Sequence, residues 1–252
     1  MGVDAPLKRK ARRREAPAPP RFASVDALRG VAIVAMVAYH FAFDLRLFGL
    51  ARLDFERDAF WLAARATIVS TFLGLVGVSL VLAHRAGVSP ARRWRRVAAI
   101  AACAIAVSVA SRLAFPKSYI WFGILHCIAV ASVVAWPFVR RPRLALACGA
   151  AAIAAGLSYA HPAFDSRSLA WIGFTTAKPI TEDYVPLFPW MGVALVGVAL
   201  GDALARRSFA PLAFLANAPR GLAWLGRHSL AVYMVHQPIL IGAMALALRR
   251  LP

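Results

Sequence analysis

Seven long apolar stretches dominate this chain and restrict what it can fold into. They cover residues 25–48, 59–84, 94–114, 119–139, 143–159, 185–205 and 222–248. A helix needs about 20 apolar residues to cross the hydrocarbon core of a bilayer, and most of the stretches reach that length. We therefore predict an all-α, polytopic membrane helix bundle of about seven transmembrane helices, of which the fifth is the shortest.

The distribution of positive charge predicts how the bundle lies in the membrane. The formal net charge is +19, and the strongly basic segments are the N-terminal tail, 85–96, 140–143 and 206–220. They alternate with less basic segments, so the positive-inside rule predicts a cytoplasmic N-terminus and an external C-terminus. Basic loops beside anionic lipid explain the charge without nucleic acid, for which no motif is present. Arg- and Ala-rich usage favours a bacterial inner membrane.

Composition also divides the chain. Residues 1–21 are basic and rich in Pro and Ala, which predicts a disordered cytoplasmic tail, whereas 22–252 form one transmembrane domain. The first apolar stretch is long and carries charge, which favours an uncleaved helix over a signal peptide. Cys103, Cys127 and Cys148 lie in apolar stretches without ligand spacing, so we expect neither a bound metal nor a disulfide.

The first apolar stretch carries a row of ionisable residues. Asp26, Arg29, His40 and Asp44 recur at helical spacing and so share one face. Arg29 and His40 are about 16 Å apart along the axis. A guanidinium at the cytoplasmic mouth suits a phosphate or carboxylate, and a deeper imidazole oriented by a carboxylate suits a general base. The alternative is structural: an Asp26–Arg29 pair at a helix start, and a His40 that bonds another helix.

Other polar residues in apolar stretches have equally open roles. Arg65 either reaches the interface or lines a pocket, and Asp183 either caps the sixth helix or faces a substrate. A cross-helix hydrogen bond is the structural alternative for His126, and Pro238 frees a backbone carbonyl within the last helix. The candidates for substrate binding are His126, Asp183, Trp190, Ser229, Tyr233 and His236.

Five segments together resemble the catalytic domain family of heparan-α-glucosaminide N-acetyltransferase. The resemblance extends from about residue 21 to residue 238, and the first and last segments are the most specific. Both also resemble a wider superfamily of membrane acyltransferases that modify surface sugars. The segments are 21–41 (beginning RFASVDALRG), 72–80 (FLGLVGVSL), 122–126 (FGILH), 183–190 (DYVPLFPW) and 225–236 (LGRHSLAVYMVH).

The resemblance implies an enzyme that moves an acyl group, usually acetyl, from cytoplasmic acyl-CoA to a sugar hydroxyl or amine across the membrane. Acetyl-CoA is then a co-substrate, and no permanently bound cofactor is expected. In the wider superfamily an Arg and a His of the first helix act together, which implies Arg29 and His40 here. The expected assignment is His40 and Asp44 for catalysis, with Arg29 and Asp26 on the acyl-CoA side. Analogy alone suggests a homodimer.

Two departures limit what the resemblance carries. The lysosomal heparan enzyme places its catalytic histidine in the loop after the first helix, whereas 49–58 of this chain contains no histidine. The heparan substrate is therefore not carried over, and the chain is also short for the family. Whether catalysis passes through an acyl-histidine intermediate stays open. The alternative function is a small transporter or flippase for an anionic or glycosylated solute, with Arg29 and His40 along its path.

Overall fold

The computed structural model describes residues 22–215 and 217–249, and these residues form eight α-helices without a β-strand. Four short 3₁₀ segments lie between them. The α-helices are α1 (Ala23–Leu47), α2 (Ala59–Arg85), α3 (Pro90–Ala114), α4 (Ile124–Val134), α5 (Pro142–Ser158), α6 (Leu187–Arg206), α7 (Arg220–Arg227) and α8 (Ser229–Leu248).

The all-α membrane bundle predicted from the sequence is confirmed, with a refinement in helix number. Five helices, α1, α2, α3, α6 and α8, are long and apolar enough to span a bilayer, while α4 and α5 are shorter apolar helices. The seventh apolar stretch is divided, because the short helix α7 ends before His228 and α8 begins after it. The tail 1–21 lies outside the described residues, so the domain boundary and the cytoplasmic N-terminus stay predictions.

Local sequence signals fix where the helices begin. The Asp58 carboxylate accepts a hydrogen bond from the Phe60 N–H at 2.8 Å, which satisfies a donor that the first turn of α2 leaves unpaired. Before α3, Ser89 is the N-cap and Pro90 occupies the first turn, where its missing N–H costs nothing. Helices α2 and α3 therefore start at residues that favour helix initiation.

Glycines let α2, α5 and α6 approach at backbone distance. A Cβ on Gly77 of α2 would collide with the backbone of α6 around Ala194. Gly149 of α5 and Gly192 of α6 are similarly close, since a Cβ on either would meet the other's carbonyl oxygen at 2.9 Å or less. Lipid offers no hydrophobic drive for helix association, so this close van der Waals contact stabilises the three-helix unit. The largest buried apolar cluster surrounds it.

Two further glycines bring the ends of the chain together. A Cβ on Gly30 of α1 would overlap the Leu222 carbonyl oxygen of α7, and one on Gly226 of α7 would overlap the Asp26 carbonyl oxygen. The short helix α7 therefore lies directly against the first turns of α1. As a result, the two most specific sequence segments, which lie at opposite ends of the chain, form one surface beside Arg29.

Two non-helical segments pair with each other before α4 and α6. The Glu182 N–H donates to the Ser118 carbonyl oxygen at 2.8 Å, and the Thr181 hydroxyl donates to the Tyr119 carbonyl oxygen at 2.9 Å. Phe122 and Tyr184 then form an isolated bridge. Irregular backbone is tolerated in a membrane bundle where protein surrounds it or a cavity adjoins it. The pairing explains why α4 begins at Ile124, later than the predicted stretch.

Candidate active site

A cavity of about 550 Å³ lies between α1, α2, α3 and α8. Its walls are largely apolar, but several polar side chains line it from different helices. These include Tyr39, His40, Arg65, Asp183, Tyr233 and His236. A mostly apolar cavity with a few convergent polar groups is the usual form of a small-molecule site.

Two histidines face each other at this cavity. The ring centroids of His40 and His236 are 4.9 Å apart in an edge-on arrangement. His236 is 8% exposed, and its Nδ1 lies 2.6 Å from the Tyr233 carbonyl oxygen. Its Nε2 is buried and has no hydrogen-bond partner among the described residues. The pair therefore lies where α1 and α8 meet at the cavity.

Asp44 does not orient His40 as the sequence reasoning expected. Its carboxylate is fully buried and accepts a hydrogen bond from Gln237 Nε2 at 2.6 Å, so it joins α1 to α8 one turn beyond His40. Asp44 is not among the residues that line the cavity. Within the described residues, Asp44 Oδ2 and Gln237 Oε1 have no partner. The geometry assigns Asp44 to the positioning of α8, because Gln237 directly follows His236.

Arg29 lies at a second, smaller cavity of about 150 Å³. The guanidinium donates to Asp26 Oδ1 at 3.0 Å and to the Ser79 hydroxyl at 2.9 Å. Arg96 of α3 and Ser229 of α8 also line this cavity. Asp26 is therefore the ion-pair partner of Arg29, as the structural alternative held, while Arg29 is also placed to meet a ligand. Two arginines at one cavity favour an anion.

The two cavities adjoin. Phe72, Ile124 and Tyr233 line both of them, so these three side chains form the wall between the arginine cavity and the histidine cavity. Tyr233 stands one turn from His236 on α8 and contacts it, with ring centroids 5.5 Å apart. A ligand held by Arg29 therefore has only a side-chain wall between it and the two histidines.

The remaining predicted site residues divide into those at the cavities and those away from them. Asp183 lines the large cavity, but it does not cap α6: its Oδ2 accepts from the Ile124 N–H at 2.8 Å and so caps α4. His126 lies 3.2 Å from the Ser108 hydroxyl, the cross-helix bond that was its structural alternative, and lines neither cavity. Trp190 packs on the main apolar cluster instead. Substrate roles for His126 and Trp190 have no support in this placement.

Sequence reasoning missed Ser79, Gln237 and Tyr39. Ser79 lies in an apolar stretch and also donates to a backbone carbonyl one turn back, so its sequence context resembles ordinary packing. The partnership of Gln237 with Asp44 spans 193 positions, which no local spacing reveals. Tyr39 could have been found, because it precedes His40 in the first of the five segments that resemble the family, and it lines the same cavity.

Comparison with known proteins identifies the family of this chain. The profile of the family described as "Heparan-alpha-glucosaminide N-acetyltransferase, catalytic" matches residues 21–238, which extend from the start of α1 to Pro238 of α8. No curated protein and no solved structure matches the chain significantly. The matched range includes every candidate residue described above, the whole lining of the arginine cavity and the lining of the large cavity apart from Ile241 and Gly242. The chain belongs to the catalytic domain family of heparan-alpha-glucosaminide N-acetyltransferase, a family of membrane acetyltransferase type.

Proposed function

We propose that this protein transfers an acyl group, usually acetyl, from cytoplasmic acyl-CoA to a hydroxyl or amine of a sugar on the opposite side of the membrane. The observation that carries the proposal is the pair of adjoining cavities, one lined by arginines and the other by histidines. The family supports the acetyltransferase chemistry. The positive-inside distribution of charge supports entry of the donor from the cytoplasm beside Arg29. The Arg- and Ala-rich composition supports a bacterial inner membrane as the location.

The arginine cavity suits the donor. Acyl-CoA carries several phosphate charges, and Arg29 and Arg96 line this cavity from two different helices. Asp26 and Ser79 hold the Arg29 guanidinium by hydrogen bonds, so its orientation is fixed before a ligand arrives. Phosphates would remain at the basic mouth while the uncharged pantetheine arm extends towards Tyr233. The thioester would then reach the histidine cavity at the wall that Tyr233 shares.

The histidine cavity suits the acceptor. A neutral His40 takes the proton from the acceptor hydroxyl or amine as its oxygen or nitrogen attacks the thioester carbon. The carbon–sulfur bond breaks, and the protonated His40 gives its proton to the departing thiolate of CoA, so that CoA leaves as the thiol and His40 is neutral again. His236 Nε2 can accept a hydrogen bond from the acceptor hydroxyl or amine, because Nδ1 donates to the Tyr233 carbonyl oxygen and Nε2 is buried at the same cavity without a partner among the described residues. Acetyl transfer then needs no resident cofactor.

Binding of acetyl-CoA to the purified full-length protein tests the donor side. We expect saturable binding that Arg29→Ala weakens by about tenfold or more, since a charge-assisted contact contributes roughly 1.5–3 kcal/mol. Arg96→Ala should weaken it less, because Arg96 is exposed. The matched control is Arg95→Ala, which removes a neighbouring arginine that lines neither cavity. Absence of binding in a folded preparation would overturn the proposal and favour a transporter, with Arg29 and His40 on its solute path.

A further inference from the structure

The large cavity is not enclosed on all sides by protein. Its α3 wall includes Ala106, Ala110 and Ala114, and its α8 wall includes Pro238 and Gly242. All five residues are also exposed on the surface of the bundle. Residues that line a cavity and are exposed at the same time mark its opening. Arg46, Glu56 and Lys178 also line the cavity and are exposed, so one opening lies at the end of α1 and its adjoining loops. A second opening lies sideways between α3 and α8, within the length of two membrane-spanning helices.

The packing of α3 explains this opening. Helix α3 packs mainly against α4 and only sparsely against α8. Beside the alanines that line the cavity, α3 carries large apolar side chains that face away from the bundle: Leu113 is 81% exposed and Ile105 is 62% exposed. On α8 the outward residues Ile239 and Leu246 are 62% and 81% exposed. Both edges of the opening are thus apolar surfaces that face acyl chains in a bilayer, and the gap lies where lipid can enter.

The chemistry of the cavity changes from this opening to its opposite end. Alanine, proline and glycine line the gap, whereas Tyr39, His40, Asp183 and His236 line the deeper part. His236 is buried, and the absence of a partner for its Nε2 among the described residues leaves one polar contact for a ligand to fill. A ligand that matches both parts has a polar head and a hydrocarbon tail.

We propose that the acceptor is lipid-anchored: a sugar carrying a hydroxyl or amine, joined to an alkyl or prenyl chain that leaves the cavity between α3 and α8. This inference rests on the proposed function, since it names the acceptor class of the same reaction. The polar head lies between His40 and His236, and the tail stays in the bilayer. A tail held in the gap restricts the head to the histidines, which favours transfer through orientation as well as concentration.

The test compares one amino sugar with its long-chain alkyl glycoside, using radiolabelled acetyl-CoA and the full-length protein in lipid nanodiscs. Gly242→Trp narrows the gap, and the space around Gly242 accommodates the first added carbon because nothing lies within 4 Å of a Cβ there. Ala110→Trp narrows it from the α3 side. The matched controls are Ala243→Trp and Val109→Trp, neighbouring positions outside the cavity lining. Because the lipid of the nanodiscs is the same in every measurement, the alkyl glycoside reaches the same concentration in the bilayer for all four variants.

We expect Gly242→Trp and Ala110→Trp to reduce acetylation of the alkyl glycoside by about tenfold, with the free sugar and the control variants changed less than about twofold. Equal losses for both acceptors, or no loss for either, would overturn the lipid-anchored acceptor while leaving acetyl transfer established. A photoreactive group on the alkyl chain gives a readout that does not need activity, and its crosslinks should fall on 106–114 and 238–242. Crosslinks elsewhere on the protein would also overturn the inference.

Discussion

The bundle has two halves that differ in how closely their helices pack. The packed half consists of α2, α5 and α6, where glycines permit backbone contact and the main apolar cluster is buried. The cavity half consists of α1, α3 and α8, where the helices leave about 550 Å³ between themselves and α2. Buried polar atoms without a partner among the described residues occur only in the cavity half, on Asp44, His236 and Gln237.

The difference shows how a small membrane enzyme combines rigidity with an internal site. Unpaired polar atoms are costly in a bilayer, so a bundle keeps them only where a ligand, water or reaction needs them. The packed half holds α2 in place through close contact, and α2 then supplies one wall of both cavities. Substitutions of the same residue type in the two halves should therefore have different consequences.

The largest expected effect is the loss of activity in His40→Ala. Removing a general base lowers the rate by roughly 10²–10⁴-fold, while the protein should remain folded because His40 is only half-buried at a cavity. The matched control is His84→Ala, which removes a histidine of α2 that contacts Trp136 away from both cavities. Acetyl transfer from labelled acetyl-CoA measures both. Full activity in His40→Ala would contradict the mechanism.

A smaller effect, on stability, is expected from Gly77→Ala in the packed half. The new Cβ would meet the α6 backbone, so the helices must separate, and overpacking of this kind costs about 3 kcal/mol. Gly74→Ala is the matched control on the same helix, because nothing lies within 4 Å of a Cβ there. Thermal denaturation in detergent compares the two variants. Equal melting temperatures would show that the close contact of α2 with α6 contributes little.

In the cavity half, Asp44→Ala should cost about 1 kcal/mol, since it leaves the Gln237 amide unpaired between α1 and α8. Asp44→Asn retains an oxygen that can accept the same hydrogen bond and should preserve stability. Activity should follow stability in this pair, because the structure places Asp44 as a positioning residue. If Asp44→Asn is folded yet as inactive as His40→Ala, the carboxylate has a direct chemical role.

Local patterns predicted the helices well, and they predicted the site in part. Uninterrupted apolar stretches are enough to locate the spanning helices, since the bilayer sets their length. The spacing of Arg29 and His40 predicted that they lie about three turns apart on one helix, and α1 contains both of them, each at a different cavity. Spacing could not show that Asp44 bonds Gln237 or that Asp183 caps α4, because both partnerships depend on how distant segments pack. The division of α7 from α8 was missed because Gly226 packs on α1, a tertiary constraint.

The smallest expected effect concerns the loop between α5 and α6, which joins the two halves on one face. Phe174 of this loop stacks on Phe188 of α6, and Lys178 pairs with Glu56 of the α1–α2 loop at 3.3 Å. The loop is closed by Asp165, whose carboxylate accepts from the Thr176 hydroxyl and N–H at 2.6 and 2.7 Å. These bonds, the hydroxyl's first, lower the pKa of Asp165 below its usual value.

The sign of the pH dependence follows from that lowered pKa. The bonds to Thr176 stabilise the loop above the unfolded-state pKa of about 3.9 and are lost as the pH falls through the lower folded-state pKa. Hydrogen exchange of the 160–184 peptides, corrected for intrinsic rates, should therefore rise on acidification. In Asp165→Asn the 160–184 peptides should exchange faster at neutral pH and lose this acid response.

Asp54, whose pKa is lowered chiefly by the Glu56 N–H, should keep the 49–58 loop acid-sensitive in the same variant. An unchanged acid response of the 160–184 peptides in Asp165→Asn would assign that response to a group other than Asp165, and the closure of this loop would then not depend on the charge of Asp165.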